Sequence, residues 1–224
     1  MTTQERFDNV ISWFSENMPF PQTELHYKSP YELLVAVILS AQCTDKRVNI
    51  ITPAFFERFP DAETLAASAT EEIYEYVKSC SYPNNKTKSL SGMAKKVVGT
   101  YGGVLPDDID QLQTIPGVGR KTANIIASVI YHKPTLAVDT HVFRVAARLG
   151  LTKNAKTPRE TENQLLKYVQ NKYLPDFHHW LILHGRYVCT ARSPKCEKCG
   201  LRESCSYYTK VLKGISFQVS RKNP

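Results

Sequence analysis

An all-α fold is predicted by three features of the chain. Apolar residues recur at helical spacings of three, four and seven, sustained two-residue alternation is absent, and helix starts and stops punctuate the sequence. Phe7, Val10, Ile11 and Phe14 describe an opening amphipathic helix. Ser29-Pro30-Tyr31-Glu32 reads as a capping box with proline at the first helical position, opening the unbroken apolar run over residues 33–39. Leu90, Ala94, Val97, Val98 and Tyr101 form one stripe, closed by Gly102-Gly103. Thr157-Pro158-Arg159-Glu160 repeats the capping box before a helix expected to carry Leu165, Leu166 and Val169. A last helix is expected over residues 177–188, running directly into Cys189. Residues 135–138 are the one stretch whose pattern is ambiguous.

With 224 residues, 42% hydrophobic and 22% charged, the chain can bury a core without disulfide staples, and global disorder is excluded. The seven-residue apolar run is far short of the roughly 20 residues needed to cross a bilayer. The N-terminus lacks a basic segment followed by an apolar one, so a soluble protein of a bacterial cytoplasm is expected. His132-Lys133-Pro134 is the clearest punctuation, and it suggests two helical subdomains: residues 22–133, and residues 1–21 joined to 134–224.

Charge is unevenly placed. Residues 1–183 hold 20 basic and 19 acidic side chains, whereas residues 184–224 hold 9 and 2. Such a segment is either a solvated tail or a phosphate-binding surface. Four of the six cysteines lie in it, as Cys189, Cys196, Cys199 and Cys205. In a reducing compartment, clustered thiols point to a metal centre rather than to disulfides. Cys43 and Cys80 read as inert buried thiols in helical surroundings. The six histidines show no metal-site spacing, so packing and hydrogen bonding are their expected roles. His141 stands out because it lies beside Asp139.

The segment Ile115-Pro116-Gly117-Val118-Gly119-Arg120-Lys121-Thr122-Ala123 joins a short apolar stretch to a helix whose inner face is Ala123, Ile126, Ala127 and Ile130. Gly117 and Gly119 permit close backbone approach, and the amides at the helix start suit an anion such as a DNA phosphate. An ordinary glycine-containing turn between helices has the same pattern. Lys121 falls in the first helical turn, the wrong end for a cation, which favours the neutral amine of a nucleophile. An exposed phosphate contact is the competing role. Asp139 precedes another apolar-periodic helix, as an N-cap or as a functional carboxylate near a lysine.

Taken together, Ile38-Leu39-Ser40-Ala41-Gln42-x-Thr44-Asp45, the Pro-Gly-Val-Gly-Arg-Lys-Thr-Ala hairpin, Val138-Asp139-Thr140-His141-Val142-Phe143-Arg144, and His178-His179-Trp180-Leu181-Ile182-Leu183-His184-Gly185-Arg186 before the cysteine run resemble the endonuclease III family. The resemblance spans about residues 5–208. It implies two helical subdomains, a six-helix bundle ending in a helix-hairpin-helix and an iron–sulfur subdomain, with DNA held in a cleft. It implies a monomeric bifunctional DNA glycosylase and abasic-site lyase acting on oxidised pyrimidines in duplex DNA. Lys121 would attack C1′ and form a Schiff base, and Asp139 would stabilise positive charge there. The four cysteines would hold a [4Fe–4S] cluster. A single C-x2-C pair argues against a zinc ribbon, which usually shows two. Gln42 would fill the gap left by a flipped base, and Tyr82, in Ser81-Tyr82-Pro83-Asn84-Asn85-Lys86, would be the wedge where the family commonly has leucine. Gly117, Gly119, Arg120, Lys195 and Lys198 would contact DNA. The runners-up are a monofunctional mismatch glycosylase, disfavoured by the presence of Lys121, and a non-catalytic helix-hairpin-helix DNA-binding protein.

Overall fold

The computed structural model describes residues 1–210, and within them all regular structure is helical. The basic residues Lys213, Arg221 and Lys222 lie outside the described residues. The chain divides into two compact units, Thr23–Lys133 and Met1–Gln22 with the chain from Pro134 onward. Each has its own apolar core.

Within Thr23–Lys133 lie helices α2 (Pro30–Ser40), α3 (Asp45–Arg58), α4 (Ala62–Ala67), α5 (Thr70–Val77), α6 (Pro83–Tyr101), α7 (Ile109–Gln113) and α8 (Arg120–Val129), following α1 (Thr3–Asn17) of the other unit. Helix α2 is apolar all round and therefore central: none of residues 33–39 is more than 6% exposed. It packs on α3, α6 and α8, while α6 carries α4 and α5. Burying leucines of this kind contributes about 1.5–3 kcal/mol each. Leu90, Ala94 and Val97 face this core, and α6 stops where Gly102 enters the left-handed region at φ 61°.

The other unit contains α1, α9 (Thr140–Leu149), α10 (Pro158–Leu165) and α11 (Leu174–Tyr187). Thr2 and Glu5 make a complete capping box at the start of α1. Phe14 stacks on Trp180 with centroids 5.5 Å apart, and the Trp180 indole donates to the Met18 carbonyl at 2.7 Å. Arg6 reaches the Leu149 carbonyl, the Ser204 carbonyl and the Ser206 hydroxyl at 2.8, 2.5 and 2.7 Å, tying α1 to the end of α9 and to the cysteine segment.

Three local expectations are corrected and one ambiguous stretch is resolved. In the helix starts at Ser29 and Thr157, the serine and threonine do accept from N3, but the returning glutamates accept from Lys28 and Lys156, one residue before the cap. Helix α10 ends at Leu165. Leu166 is exposed and Val169, although buried, comes after the helix, because its burial is supplied by packing rather than by helical phase. Helix α11 starts at Leu174, with Pro175 in its first turn. Residues 133–139, whose pattern is ambiguous in part, carry no regular structure.

Candidate active site and cysteine centre

Helices α7 and α8 flank the Pro-Gly-Val-Gly turn. Gly117 has φ 82°, and a Cβ there would stand 2.8 Å from the Ser89 Cβ and 3.5 Å from Ile38, so the turn rests on α6 and α2 through a position only glycine fills. Gly119 is different: its φ is −86°, and a Cβ would meet nothing within 4 Å. Protein packing does not explain that glycine, whose open face is turned away from the core. Gly119 is the N-cap of α8 and supplies no side-chain cap. Arg120 is half-buried and engaged with neighbours. Lys121, the second helical residue, is exposed and makes no hydrogen bond or ion pair among the described residues. Ala123, Ile126 and Ala127 are buried, so the register that faces them inward turns Lys121 out. Ile130 closes α8 half-buried.

The turns before α3 and α6 belong to the same unit. Gln42 and Tyr82 are both exposed and both held in the left-handed region, at φ 54° and 55°. For residues with a side chain this costs on the order of 1 kcal/mol each. Tyr82 is the N-cap of α6 and its side chain is 62% exposed. The two turns are joined where the Arg47 guanidinium donates to the Ser79 carbonyl at 3.5 Å. Cys43 and Cys80 sit in these turns rather than on helices, with Cys80 buried and Cys43 half-exposed.

In the other unit, Asp139 is the N-cap of α9 as well as the carboxylate singled out by sequence. Its Oδ1 accepts from the amides of His141 and Val142, both at 2.8 Å. Both bonds fall on one oxygen, so Oδ2 has no hydrogen-bond partner among the described residues. Upstream, the buried residues Leu136, Ala137 and Val138 anchor the extended segment, and His178 Nδ1 donates to the Ala137 carbonyl at 2.7 Å. His141 accepts from Arg144 at 3.2 Å, and Arg144 also donates to the carbonyls of Gly185 and Cys189. Gly185 permits this approach of α9 to α11: a Cβ there would stand 3.0 Å from the His141 Cβ.

Cys189, Cys196, Cys199 and Cys205 line one small cavity with His184, Arg202, Tyr207 and Tyr208. Among the described residues, no three candidate ligands close on one point as a single ion requires. Four thiols around one shared cavity are the donor set of a thiolate-held metal centre. Burial, and then the neighbouring cysteines against an amide bond from Leu201, pushes the Cys199 thiol up to about 11. A set of four thiolates there calls for cationic charge among them. Arg148 Nη1 donates to Cys189 Sγ at 3.5 Å and to the Thr190 carbonyl at 2.7 Å, while Nη2 reaches the Ala191 carbonyl at 2.8 Å. The guanidinium also lies 4.8 Å from the centre of the Tyr207 ring. His184, buried against Phe14 and Trp13, places Nε2 3.6 Å from Cys199 Sγ. Lys195 and Lys198 flank Cys196 and are exposed. Sequence reasoning missed Arg6, Arg144, Arg148 and the contact made by His184. The four-residue spacing of Arg144 and Arg148 on an amphipathic helix was the available signal.

Fold and site define a helix-hairpin-helix protein with a surface lysine at the hairpin and four cysteines around one cavity. The model of the HhH-GPD superfamily base excision DNA repair protein matches residues 35–171, and that of the iron-sulfur binding domain of endonuclease III matches residues 189–205. The chain is 46% identical over 201 residues to endonuclease III of Rickettsia conorii, covering 90% of this chain and 95% of that one. It is 41% identical over 205 residues to endonuclease III of Escherichia coli K12, with the same coverage. A solved structure of a trapped endonuclease III–DNA covalent intermediate matches with TM-score 0.89 and 36% identity, covering 95% of this chain and all of that one. The chain belongs to the endonuclease III family, the bifunctional DNA glycosylase and abasic-site lyases of base excision repair that carry a [4Fe–4S] cluster.

Proposed function

We propose that Lys121 is the nucleophile of this enzyme and Asp139 its essential carboxylate, acting on oxidised pyrimidines in duplex DNA. The observation that carries the assignment is Lys121 itself: an exposed, unpaired amine at the second position of a helix whose start has no side-chain cap. No group among the described residues occupies Nζ, which leaves it available for attack. Nζ adds to C1′, the damaged base departs with a proton, and opening of the sugar gives a Schiff base. Loss of a C2′ proton then expels the 3′ phosphate, leaving the strand cut by β-elimination. Asp139 keeps Oδ1 on the α9 amides and uses Oδ2 to stabilise positive charge at C1′ and to assist proton transfer.

Gly117, Gly119 and Arg120 form the phosphate-binding turn, its support being the open face of Gly119 and the uncapped amides behind it. Gln42 and Tyr82, both exposed and both in the left-handed region, enter the duplex where the lesion is extruded, which costs a few kcal/mol for a base. A cluster bound by Cys189, Cys196, Cys199 and Cys205 cross-links the last segment and so presents Lys195 and Lys198 to the backbone. The protein works as a monomer on chromosomal DNA in the cytoplasm. No helix among the described residues is long and apolar enough to cross a membrane.

Borohydride trapping on an abasic-site duplex tests the nucleophile. A covalent adduct with the wild type, absent in Lys121→Ala although that variant still binds, is the expected result. An adduct of undiminished yield in Lys121→Ala overturns the assignment. No adduct in either protein, with binding intact, returns the reading to a monofunctional or non-catalytic protein.

A further inference from the structure

Beneath the turns of Gln42 and Tyr82 lies a group that the glycosylase reading does not use. The Cys43 side chain lies close enough to the Cys80 thiol to act on it. Arg47, two residues into the helix after Cys43, bonds to the carbonyl of Ser79, the residue before Cys80. Lys86, from the first turn of α6, is only 5% exposed, and its Nζ has no hydrogen-bond partner. Its charge and that of Arg47 act directly on Cys80. A buried ammonium without an acceptor is costly, and the Cys80 thiol, on which its charge acts, is able to become its counter-ion. The sequence places these thiols one residue from Gln42 and two from Tyr82.

We propose that Cys43 and Cys80 are a modification site: a dithiol that a small-molecule disulfide converts reversibly to an intramolecular disulfide, clamping the two turns and weakening engagement of the lesion. The half-exposed Cys43 meets the oxidant first. Its thiolate attacks one sulfur of the small disulfide, whose S–S bond breaks, and one small thiol leaves. Cys80 gives its proton to water and attacks the Cys43 sulfur, and the second small thiol leaves. Two cysteines are oxidised and one disulfide is reduced to two thiols. Burial, and then the proximity of Cys43, pushes the Cys80 thiol up to about 11 against the pull of Lys86 and Arg47, so the second step depends on Lys86 as counter-ion. A covalent bond is shorter than a thiol–thiol contact and restricts geometry, so it shifts two turns already held at positive φ.

The consequence for DNA rests on the proposed roles of Gln42 and Tyr82, and the covalent chemistry is read separately. The cluster-loaded protein is incubated with oxidised glutathione, digested without reduction and analysed by mass spectrometry, and its affinity for an abasic-site duplex is measured in parallel. The expected result is a linked Cys43–Cys80 peptide two hydrogens lighter than its parts, with affinity about tenfold weaker, as small displacements in a site can produce. Dithiothreitol restores both, and Cys43→Ser, altered at the more exposed thiol, keeps its affinity under oxidation. Lys86→Met accumulates the mixed disulfide at Cys43 in place of the linked peptide. Glutathione retained on Cys43 in the wild type with no linked peptide overturns the proposal, as does a linked peptide with unchanged affinity. An equal loss of affinity in Cys43→Ser also overturns it. Reduced protein that fails to bind the duplex counts against the functional reading instead, and the linked peptide then decides the dithiol.

Discussion

The two units of the chain are held together by different physics. Thr23–Lys133 is organised around an apolar helix buried on every side, and its chemistry stands on the turns that enter and leave that core. The unit formed by the chain ends has an aromatic core of Phe7, Phe14, Phe177 and Trp180. Its functional segment is secured by charge-assisted bonds from Arg6, Arg144 and Arg148 to backbone carbonyls, and carries the four cysteines of the proposed cluster site. Apolar cores tolerate modest change at any one position because the driving force is spread over many contacts. A segment tethered by a few directional bonds and a cluster depends on each tether, so the second unit is the more fragile of the two.

The largest expected effect is at the cysteines. Cys196→Ser is expected to remove the visible absorbance of the cluster and lower affinity for duplex DNA at least tenfold, the basic loop no longer being held; unchanged colour and affinity would show the loop to be self-supporting. Leu34→Ala, in the other unit, is expected to cost about 2–5 kcal/mol by cavity formation, read as a lower urea midpoint with the cluster spectrum retained until unfolding. Loss of the spectrum before that transition would mean the units are not separable in this way. Asp139→Asn separates the two roles of one side chain. Asparagine caps a helix about as well as aspartate, so stability is expected to change by less than about 1 kcal/mol. Base release slows about tenfold or more. A large stability loss with normal base release would make Asp139 a cap and nothing else.

The smallest effect is in pH dependence. Burial lowers His179 from 6.5 to about 4. The unfolded chain therefore binds a proton that the folded chain refuses between those values, so the contribution of neutral His179 is present above pH 6.5 and lost as pH falls toward 4. His179→Gln is expected to flatten the fall in melting temperature over that window. An identical slope in both proteins would show that the ring is not kept neutral by the fold.

Much of this comparison was legible in the residues. The run over 33–39 announced a buried helix, the glycine pair announced the hairpin, and the four cysteines announced a metal centre, because each depends on local periodicity or spacing. Asp139 was legible as a position but not as a choice between cap and carboxylate. The structure shows the cap and leaves room for the second role, because both amide bonds fall on Oδ1. The two glycines of the hairpin looked equivalent, yet only Gly117 needs its conformation, whereas Gly119 leaves a face open.

The sequence by itself determined the all-α class, the hairpin with its lysine, the aspartate at the start of α9 and the spacing of the four clustered cysteines. Tertiary structure alone decided which long-range partners hold them. Arg6 reaches residues 143 and 198 positions away, Arg148 reaches carbonyls more than 40 positions on, and Cys43 and Lys86 both act on Cys80. The physical reason is that periodicity and capping are set within a few residues. Long side chains find carbonyls and thiols through the packing of whole helices, and no local pattern encodes those meetings.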